Sequence, residues 1–243
     1  MMAQAGVGRR AAVFGAGGGI GAALVAALAA RDDIGAVVAL SRRPHAVPAG
    51  KVIPMACDVG DEASVAVAAQ ALGPVDLALV ATGALTLPGG AGPEKTWRSL
   101  DPAVMAESFR INAIGPALVA KHVLPLLPRD RPSLFAVLSA RVGSIADNRL
   151  GGWHSYRAAK AALNMLTRNF AIELARTHPL AVCVALHPGT VDTGLSAPFQ
   201  HGVAPDRLFA PAQAAEHLLR VCDSLAPADS GGFFAWDGQL IPF

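Results

Sequence analysis

Short apolar runs alternate with longer stretches of helical character along the chain, and glycine, proline or polar turns separate them. Most of these runs are apolar at consecutive positions, as strands buried on both faces of a sheet are. The pattern predicts seven strands, at Arg10–Phe14, Ala36–Leu40, Lys51–Ala56, Val75–Val80, Leu134–Leu138, Ala181–Leu186 and Phe233–Trp236.

Helices are predicted between the strands, from the glycines after Phe14 to about Arg31 and over 62–72, 101–127, 155–177 and 212–225. Alternating β and α units indicate an α/β fold. We expect a single doubly wound Rossmann-type domain over 1–243, with a mostly parallel seven-stranded sheet flanked by helices. The irregular stretch 193–210 is expected to form a lid over a substrate pocket.

Composition fits a buried core, since 53% of the 243 residues are hydrophobic and 16% are charged. The net charge is +2 and no block of five basic residues occurs, so neither nucleic acid nor a membrane is expected as a partner. Cys57, Cys183 and Cys222 are far apart, which favours buried thiols in a reducing compartment over a disulfide or metal site.

The first strand runs directly into the glycine loop Gly15-Ala16-Gly17-Gly18-Gly19-Ile20-Gly21. Such a loop between a strand and a helix lets a pyrophosphate approach the backbone at the helix N-terminus. It predicts a dinucleotide site formed by Gly15, Gly17, Gly19, Ile20 and Gly21. Arg9-Arg10 before an uncharged run could also mark a twin-arginine signal, but the glycine pattern favours the nucleotide loop and a cytoplasmic protein.

Residues at the ends of the next strands indicate which dinucleotide is bound. The second strand ends in Ser41, Arg42 and Arg43, where an NAD site would carry a carboxylate for the ribose. A guanidinium suits the 2′-phosphate of NADP, so we expect NADP(H) in preference to NAD(H), although a solvated Arg-Arg turn would have the same sequence. After the third strand, Asp58 could accept from the adenine amino group. After the fourth, the small residues Ala81, Thr82 and Gly83 would let a cofactor lie against the sheet.

Tyr156, the only tyrosine, and Lys160 stand four positions apart on the predicted helix 155–177 and therefore share one face. A cation within about 4–6 Å of a phenol lowers its pKa, which would make the pair a general acid/base. A surface lysine one turn from a half-buried tyrosine would give the same spacing. Asn112 lies inside the predicted helix 101–127, where asparagine is unfavourable, so it either has a polar function or is exposed by chance.

Together these motifs resemble the short-chain dehydrogenase/reductase superfamily over essentially the whole chain. The likeness rests on the glycine loop, Asp58-Val59, Asn112, Tyr156-x-x-x-Lys160, and Pro188-Gly189 with Thr193. The segments 139–148, 151–157 and 186–191 are similar to the sniffer-like carbonyl reductases and their bacterial C-factor-like relatives. The resemblance implies hydride transfer between a nicotinamide and a carbonyl or alcohol.

The resemblance also implies a role for each matching residue. Tyr156 would donate a proton to the carbonyl oxygen, Lys160 would lower the pKa of Tyr156 and hold the nicotinamide ribose, and Asn112 would anchor a water in a proton relay. The nicotinamide would lie against Pro188, Gly189, Val191 and Thr193. The adenine end would meet Asp58, Val59, Arg42 and, less surely, Arg43.

One departure from the family concerns the serine that orients the substrate oxygen. It usually lies three residues before the loop glycine, here Gly143, and that position is Ala140. Ser144 or Ser139 would have to replace it. Ser139 is expected on the opposite face of the strand, so Ser144 is the preferred candidate. A second departure is Ala81-Thr82-Gly83-Ala84 where the family usually has Asn-Asn-Ala-Gly.

Two functions therefore remain open: an NADPH-dependent carbonyl reductase, or a cofactor-binding sensing or signalling protein with little turnover, suggested by the change at Ala140 and by the functional range of this fold. The resemblance further implies a homodimer or homotetramer assembled through helices 101–127 and 155–177. The substrate pocket is expected to be apolar, with walls that include Trp97, Trp153, Leu195, Phe199, Leu208 and Phe209.

Overall fold

The computed structural model describes residues 8–44, 50–87, 89–202 and 204–243. Seven strands form one sheet in the order β3-β2-β1-β4-β5-β6-β9, and every neighbouring pair is parallel. The predicted fold class is thereby confirmed. In chain order the strands are β1 (Arg9–Phe14), β2 (Ile34–Ser41), β3 (Val52–Ala56), β4 (Leu77–Val80), β5 (Ser133–Leu138), β6 (Ala181–His187), β7 (Thr190–Val191), β8 (Leu208–Phe209) and β9 (Phe233–Ala235).

Helices cover both faces of the sheet because alternate residues of each central strand point to opposite sides. Val13 of β1 packs in the apolar layer under α1 and α6, whereas Phe14 packs in the layer under α2, α4 and α5. The helices are α1 (Gly19–Ala29), α2 (Glu62–Leu72), α3 (Pro102–Phe109), α4 (Gly115–Val123), α5 (His154–Leu174) and α6 (Pro211–Ser224).

The strand order reverses between β1 and β4. From β1 the chain moves outward through β2 to β3, then returns and moves the other way through β4, β5 and β6. A crevice forms at the carboxyl ends of the strands at such a point, and ligands bind there in open α/β sheets.

The predicted helix 101–127 is not continuous. A π-helical turn, Arg110–Ile114, separates α3 from α4, and a short 3-10 turn follows α4. Pro116 has no N–H to donate to the carbonyl of Asn112, so the regular hydrogen-bond ladder cannot run through this point. A π turn is a common solution and is frequent at functional sites.

The predicted lid begins and ends at a small second sheet. Strands β7 and β8 pair in parallel, which ties the two ends of the segment between them together. Within that segment the structure describes two short 3-10 turns, Ala197–Phe199 and Pro205–Arg207, while Val203 lies outside the described residues. Among the described helices, none is both long and apolar enough to cross a membrane.

Candidate active site

A cavity of about 710 Å³ lies at the carboxyl ends of β1, β4, β5 and β6, where the strand order reverses. It contains most of the predicted site residues. The predicted cofactor and catalytic residues in its wall are Gly17, Gly19, Ile20, Ala81, Thr82, Gly83, Tyr156, Lys160, Pro188, Gly189, Val191 and Thr193.

The glycine loop is shaped by close backbone contacts that exclude side chains. Gly15 has φ +89°, and a Cβ on Gly21 would lie 2.1 Å from the carbonyl oxygen of Gly15. A Cβ on Gly19 would lie 2.7 Å from Cγ2 of Thr193. Helix α1 has no side-chain N-cap bond and no acidic residue in its first turn. Its N–H groups therefore suit the phosphates of a dinucleotide.

Thr82 also suits a polar ligand. It lines the cavity at the end of β4, and its buried Oγ1 has no hydrogen-bond partner among the described residues. A buried hydroxyl without a partner costs free energy, and a ligand that bonds to it removes that cost. The glycine cradle and this hydroxyl together fit a dinucleotide.

The residues predicted for the adenine end lie outside the cavity wall. Ser41 stands behind the glycine loop, its Cβ 3.6 Å from where a Cβ on Gly17 would be, and Arg42 and Arg43 follow as exposed residues. Asp58 is exposed and its Oδ1 accepts from the N–H of Gly60 at 2.9 Å. Val59 packs beside Gly115 at the start of α4.

Tyr156 and Lys160 lie on the first turns of α5 and face the cavity, with 9% and 2% of their surfaces exposed. The Nζ of Lys160 is 5.8 Å from the centre of the Tyr156 ring and donates to the carbonyl oxygen of Leu138 at 2.8 Å. Burial lowers the pKa of Lys160 to about 8.

The expected direction of the Tyr156 pKa was wrong. Burial raises the pKa of this phenol above its usual value. The loss of hydration destabilises the phenolate. The phenol holds its proton at neutral pH, as it would at its ordinary pKa, and the higher pKa makes it a weaker acid.

Asn112 is fully buried in the π turn and is bonded to the chain beyond β4. Its Oδ1 accepts from the N–H of Ala84 at 3.0 Å, and its Nδ2 donates to the carbonyl oxygens of Ala84 at 2.9 Å and Ser108 at 3.1 Å. Gly83 lies between Asn112 and Lys160: a Cβ there would be 3.2 Å from the Asn112 Oδ1 and 3.6 Å from the Lys160 Nζ. Asn112 therefore fixes the cavity wall in front of Lys160.

Ser144 is not brought to the cavity. The short turn Arg141–Gly143 carries it past the rim, where it is buried and its Oγ accepts from the N–H of Asp147 at 3.0 Å. Ser139 does line the cavity, but its hydroxyl donates to Oδ1 of Asn164 on α5 at 2.6 Å. Ala140 stands at the family's serine position in the cavity wall. The hydroxyl of Ser139 is thus bonded to α5, and that of Ser144 lies away from the cavity.

Sequence reasoning missed Glu94, which caps the helix that carries Tyr156. Helix α5 begins after Trp153, a residue with φ +51° and no side-chain cap bond of its own. The buried carboxylate of Glu94 accepts from the N–H and the hydroxyl of Ser155, and the Glu94 carbonyl oxygen accepts from the N–H of Trp153 at 2.6 Å. Glu94 is sixty-one positions from Ser155, so no local pattern announces this cap.

The apolar wall of the cavity agrees in part with the prediction. Trp153, Leu195 and Phe199 line it, and the rings of Trp153 and Phe199 meet edge to face at 5.3 Å. Trp97 is 62% exposed, and neither it nor Leu208 or Phe209 lines the cavity. The wall also includes residues not predicted, among them Arg141, Val142 and His187.

Comparisons with known proteins agree with this geometry. The family model for short chain dehydrogenases matches residues 9–204. The C-signal protein of Myxococcus xanthus is 37% identical over 174 residues, which are 70% of this chain and 94% of that protein. The structure of NADPH-bound carbonyl reductase from chicken fatty liver is similar with a TM-score of 0.79 and 27% identity, over 97% of this chain and 94% of the other.

The carbonyl reductase Sniffer of D. melanogaster has the same fold, with a TM-score of 0.81 at 19% identity over 97% of this chain and all of the other. These matches confirm the resemblance predicted from the sequence motifs.

Proposed function

Because the chain belongs to the short-chain dehydrogenase family and is an NAD(P)-dependent oxidoreductase, we propose that it reduces a small carbonyl compound with NADPH and that Tyr156 donates the proton. The observation that carries this proposal is the placement of a buried phenol and a buried lysine in one cavity with a glycine loop. The alternative is a cofactor-binding sensing or signalling protein with little turnover.

The cofactor, when bound, supplies the hydride to the carbonyl carbon. Tyr156 is protonated at neutral pH and can give its proton to the carbonyl oxygen as the hydride arrives. Burial raises its pKa and makes it a weaker acid, so donation needs a nearby positive charge to stabilise the phenolate. Lys160, held by the carbonyl oxygen of Leu138, lies within reach to stabilise the phenolate that remains. Asn112 keeps Gly83 and Ala84 in place, so that the wall facing Lys160 does not close on the substrate.

We further propose that NADPH is preferred to NADH because Arg42 meets the 2′-phosphate. This assignment is supported by the position of the two arginines. Arg42 and Arg43 are exposed and directly follow Ser41, which lies against the glycine loop. A guanidinium–phosphate pair is charge-assisted and is frequently bidentate. Arg42→Gln should therefore raise the KM for NADPH about tenfold or more and leave the KM for NADH nearly constant. Equal effects on the two cofactors would contradict this assignment.

The experiment that tests the function is oxidation of NADPH by the purified protein with a panel of aldehydes, ketones and quinones. Turnover with an apolar carbonyl compound, and slower turnover with NADH, is the expected result. Binding of NADPH with no turnover of any member would contradict the reductase.

That negative result would favour the second candidate, a cofactor-binding sensing protein. One observation supports this alternative: Ser139 donates its hydroxyl to Asn164 of α5, and Ser144 does not line the cavity, so neither offers a hydroxyl to a substrate oxygen. Orienting donors of this kind are worth about 2.7–4 kcal/mol of barrier. Ala140→Ser should then raise the rate of a slow reductase and create no activity in a sensing protein.

We also propose that the protein is a homo-oligomer. Apolar side chains on α5 and beside α4 are exposed, with Met165 at 63%, Ile172 at 50% and Ile114 at 50%. A second copy would bury them. Light scattering at micromolar concentration should give at least twice the mass of the 243-residue chain, and a monomeric mass would refute the proposal.

A further inference from the structure

The cavity wall carries charge of one sign. Arg141 and Lys160 line it, and no aspartate or glutamate does among the residues that the structure describes. Lys160 lies beside Tyr156 at the reacting end. Arg141 belongs to the turn after β5, directly beyond Ala140. The substrate side of the cavity thus has a guanidinium of its own, which proton transfer by Tyr156 does not require.

Arg141 is held in place from one side. Its Nε donates to Oδ2 of Asp147 at 2.5 Å, and this is the one hydrogen bond that the structure gives the guanidinium among the described residues. A guanidinium has five N–H donors in a fixed fork, so the two Nη groups are available to another acceptor. Because 56% of the side chain is exposed, a ligand can reach them.

His187 is a second polar group in this part of the wall. It lines the cavity at the end of β6, next to the end of β5. Burial lowers the pKa of His187 to about 4, Arg141 acts in the same direction, and Asp237 opposes both. The Nδ1 of His187 is also buried and has no hydrogen-bond partner among the described residues, so it is available to a polar ligand beside Arg141.

The rest of the substrate side is apolar. Leu85, Trp153 and Phe199 form it. The rings of Trp153 and Tyr156 meet edge to face with their centres 6.4 Å apart, so aromatic surface lies beside the phenol. A ligand that fits this wall has an apolar body at the phenol and an acceptor for a guanidinium at its other end.

We propose that the preferred substrates are carbonyl compounds that carry a carboxylate on an aromatic or other apolar body, and that Arg141 recognises the carboxylate. This inference rests on the proposed reductase function, since it names the substrate class of the same site. Carboxylate and guanidinium match in shape, and the bond between them is charge-assisted. The apolar wall would hold the body of the substrate while Tyr156 faces its carbonyl oxygen.

The test compares 4-carboxybenzaldehyde with 4-methylbenzaldehyde, which differ in the charged group and have similar shape. The measured quantity is the ratio of kcat/KM for the acid to that for the neutral aldehyde, with NADPH. The wild type should favour the acid, and Arg141→Gln should lower the ratio about tenfold, because a half-exposed charge-assisted bond is lost. Arg141→Lys should keep part of the preference.

Arg149→Gln is the matched control. Arg149 lies in the same loop and is exposed, but it donates to the carbonyl oxygens of Ala146 and Asn148 and does not line the cavity. Its ratio should equal that of the wild type. The proposal would be overturned if Arg141→Gln kept the wild-type ratio of kcat/KM values. It would also be overturned if Arg141→Gln and Arg149→Gln lowered that ratio equally.

Binding separates a failure of this inference from a failure of the reductase. Calorimetric titration of the protein loaded with the oxidised cofactor NADP⁺, which cannot reduce the aldehyde, should give a Kd for 4-carboxybenzaldehyde about tenfold higher in Arg141→Gln than in the wild type. Reduction of the neutral aldehyde with equal affinities for the acid would refute the role of Arg141 and leave the reductase intact. A difference in affinity without turnover of either aldehyde would support the site and refute the reductase.

Discussion

The carboxylate of Glu94 should stabilise the protein and position its proton donor at the same time. It is 6% exposed and accepts two hydrogen bonds from Ser155 at a helix end that has no other side-chain cap. Hydrogen bonds to a charged group are worth about 1.5–3 kcal/mol, and loss of a cap costs about 1 kcal/mol. We therefore expect Glu94→Ala to lower the free energy of unfolding by about 3 kcal/mol, and Glu94→Gln, which keeps one acceptor oxygen, by about 1 kcal/mol.

The assay is thermal unfolding with kcat measured in parallel. For a chain of this size, each kcal/mol shifts Tm by about 2–4 °C, so Glu94→Ala should lose about 6–12 °C. Tyr156 is in the first turn of α5, so kcat should fall as well, with a smaller effect in Glu94→Gln. Glu173→Gln, an exposed change on the same helix, should alter the stability by less than about 0.5 kcal/mol.

The dependence of stability on pH shows whether Glu94 acts through its charge or only through packing. Burial is the largest single effect and raises the pKa of Glu94, but the hydrogen bonds from Ser155 and from the backbone of Glu94, with the charge of His154, together hold the pKa below its usual value. A lowered folded-state pKa gives stability that is complete above the unfolded value, about 4.3, and is lost as pH falls through the folded value. The difference in Tm between wild type and Glu94→Gln should therefore be constant from pH 6 to 8 and shrink below pH 4. A Tm loss in Glu94→Ala no larger than in Glu173→Gln would refute the reasoning.

Three further predictions concern residues in the cavity wall or directly behind it. Gly21→Ala should lower Tm strongly, because its Cβ would lie 2.1 Å from a backbone oxygen, whereas Gly18→Ala, with 3.4 Å, should lower it little. Asn112→Ala leaves the half-buried N–H and carbonyl groups of Ala84 without their partner and should cost about 2–4 kcal/mol in denaturant unfolding, while an unchanged midpoint would contradict this role of Asn112. Carbonyl reduction should slow as pH rises through about 8, the pKa of Lys160, where its ammonium loses its proton; a rate that is flat to pH 9.5 would show that this charge is not needed.

The sheet could be predicted from the sequence because its central strands are short apolar runs between helices. All seven predicted strands are found within a few residues of their expected bounds. The predicted helix 101–127 is interrupted at Asn112: Gly115-Pro116 suggests a distorted turn there, but apolar spacing does not report that the turn is π-helical. The small sheet of β7 and β8 was not predicted, since two residues on each side carry no periodicity.

The site could be predicted where its residues are close together in the sequence, and not where it depends on contacts between residues far apart in the sequence. The glycine loop and the Tyr156–Lys160 spacing are local, and both lie in the cavity. The Ser144 assignment failed because the direction of a hydroxyl after a strand depends on the turn that follows. The pKa of Tyr156 depends on how completely the fold buries it, which spacing alone does not reveal. Glu94 has no local signal at all.

The central claim is that Tyr156 donates the proton during reduction by NADPH. The most direct measurement is the single-turnover rate of NADPH oxidation with a reducible aldehyde in wild type and Tyr156→Phe, with the affinity for NADPH determined for each. Phenylalanine keeps the ring in its cavity and removes the hydroxyl alone. The account predicts a rate lower by about 10²–10⁴-fold at nearly unchanged NADPH affinity. A Tyr156→Phe rate equal to that of the wild type would contradict it.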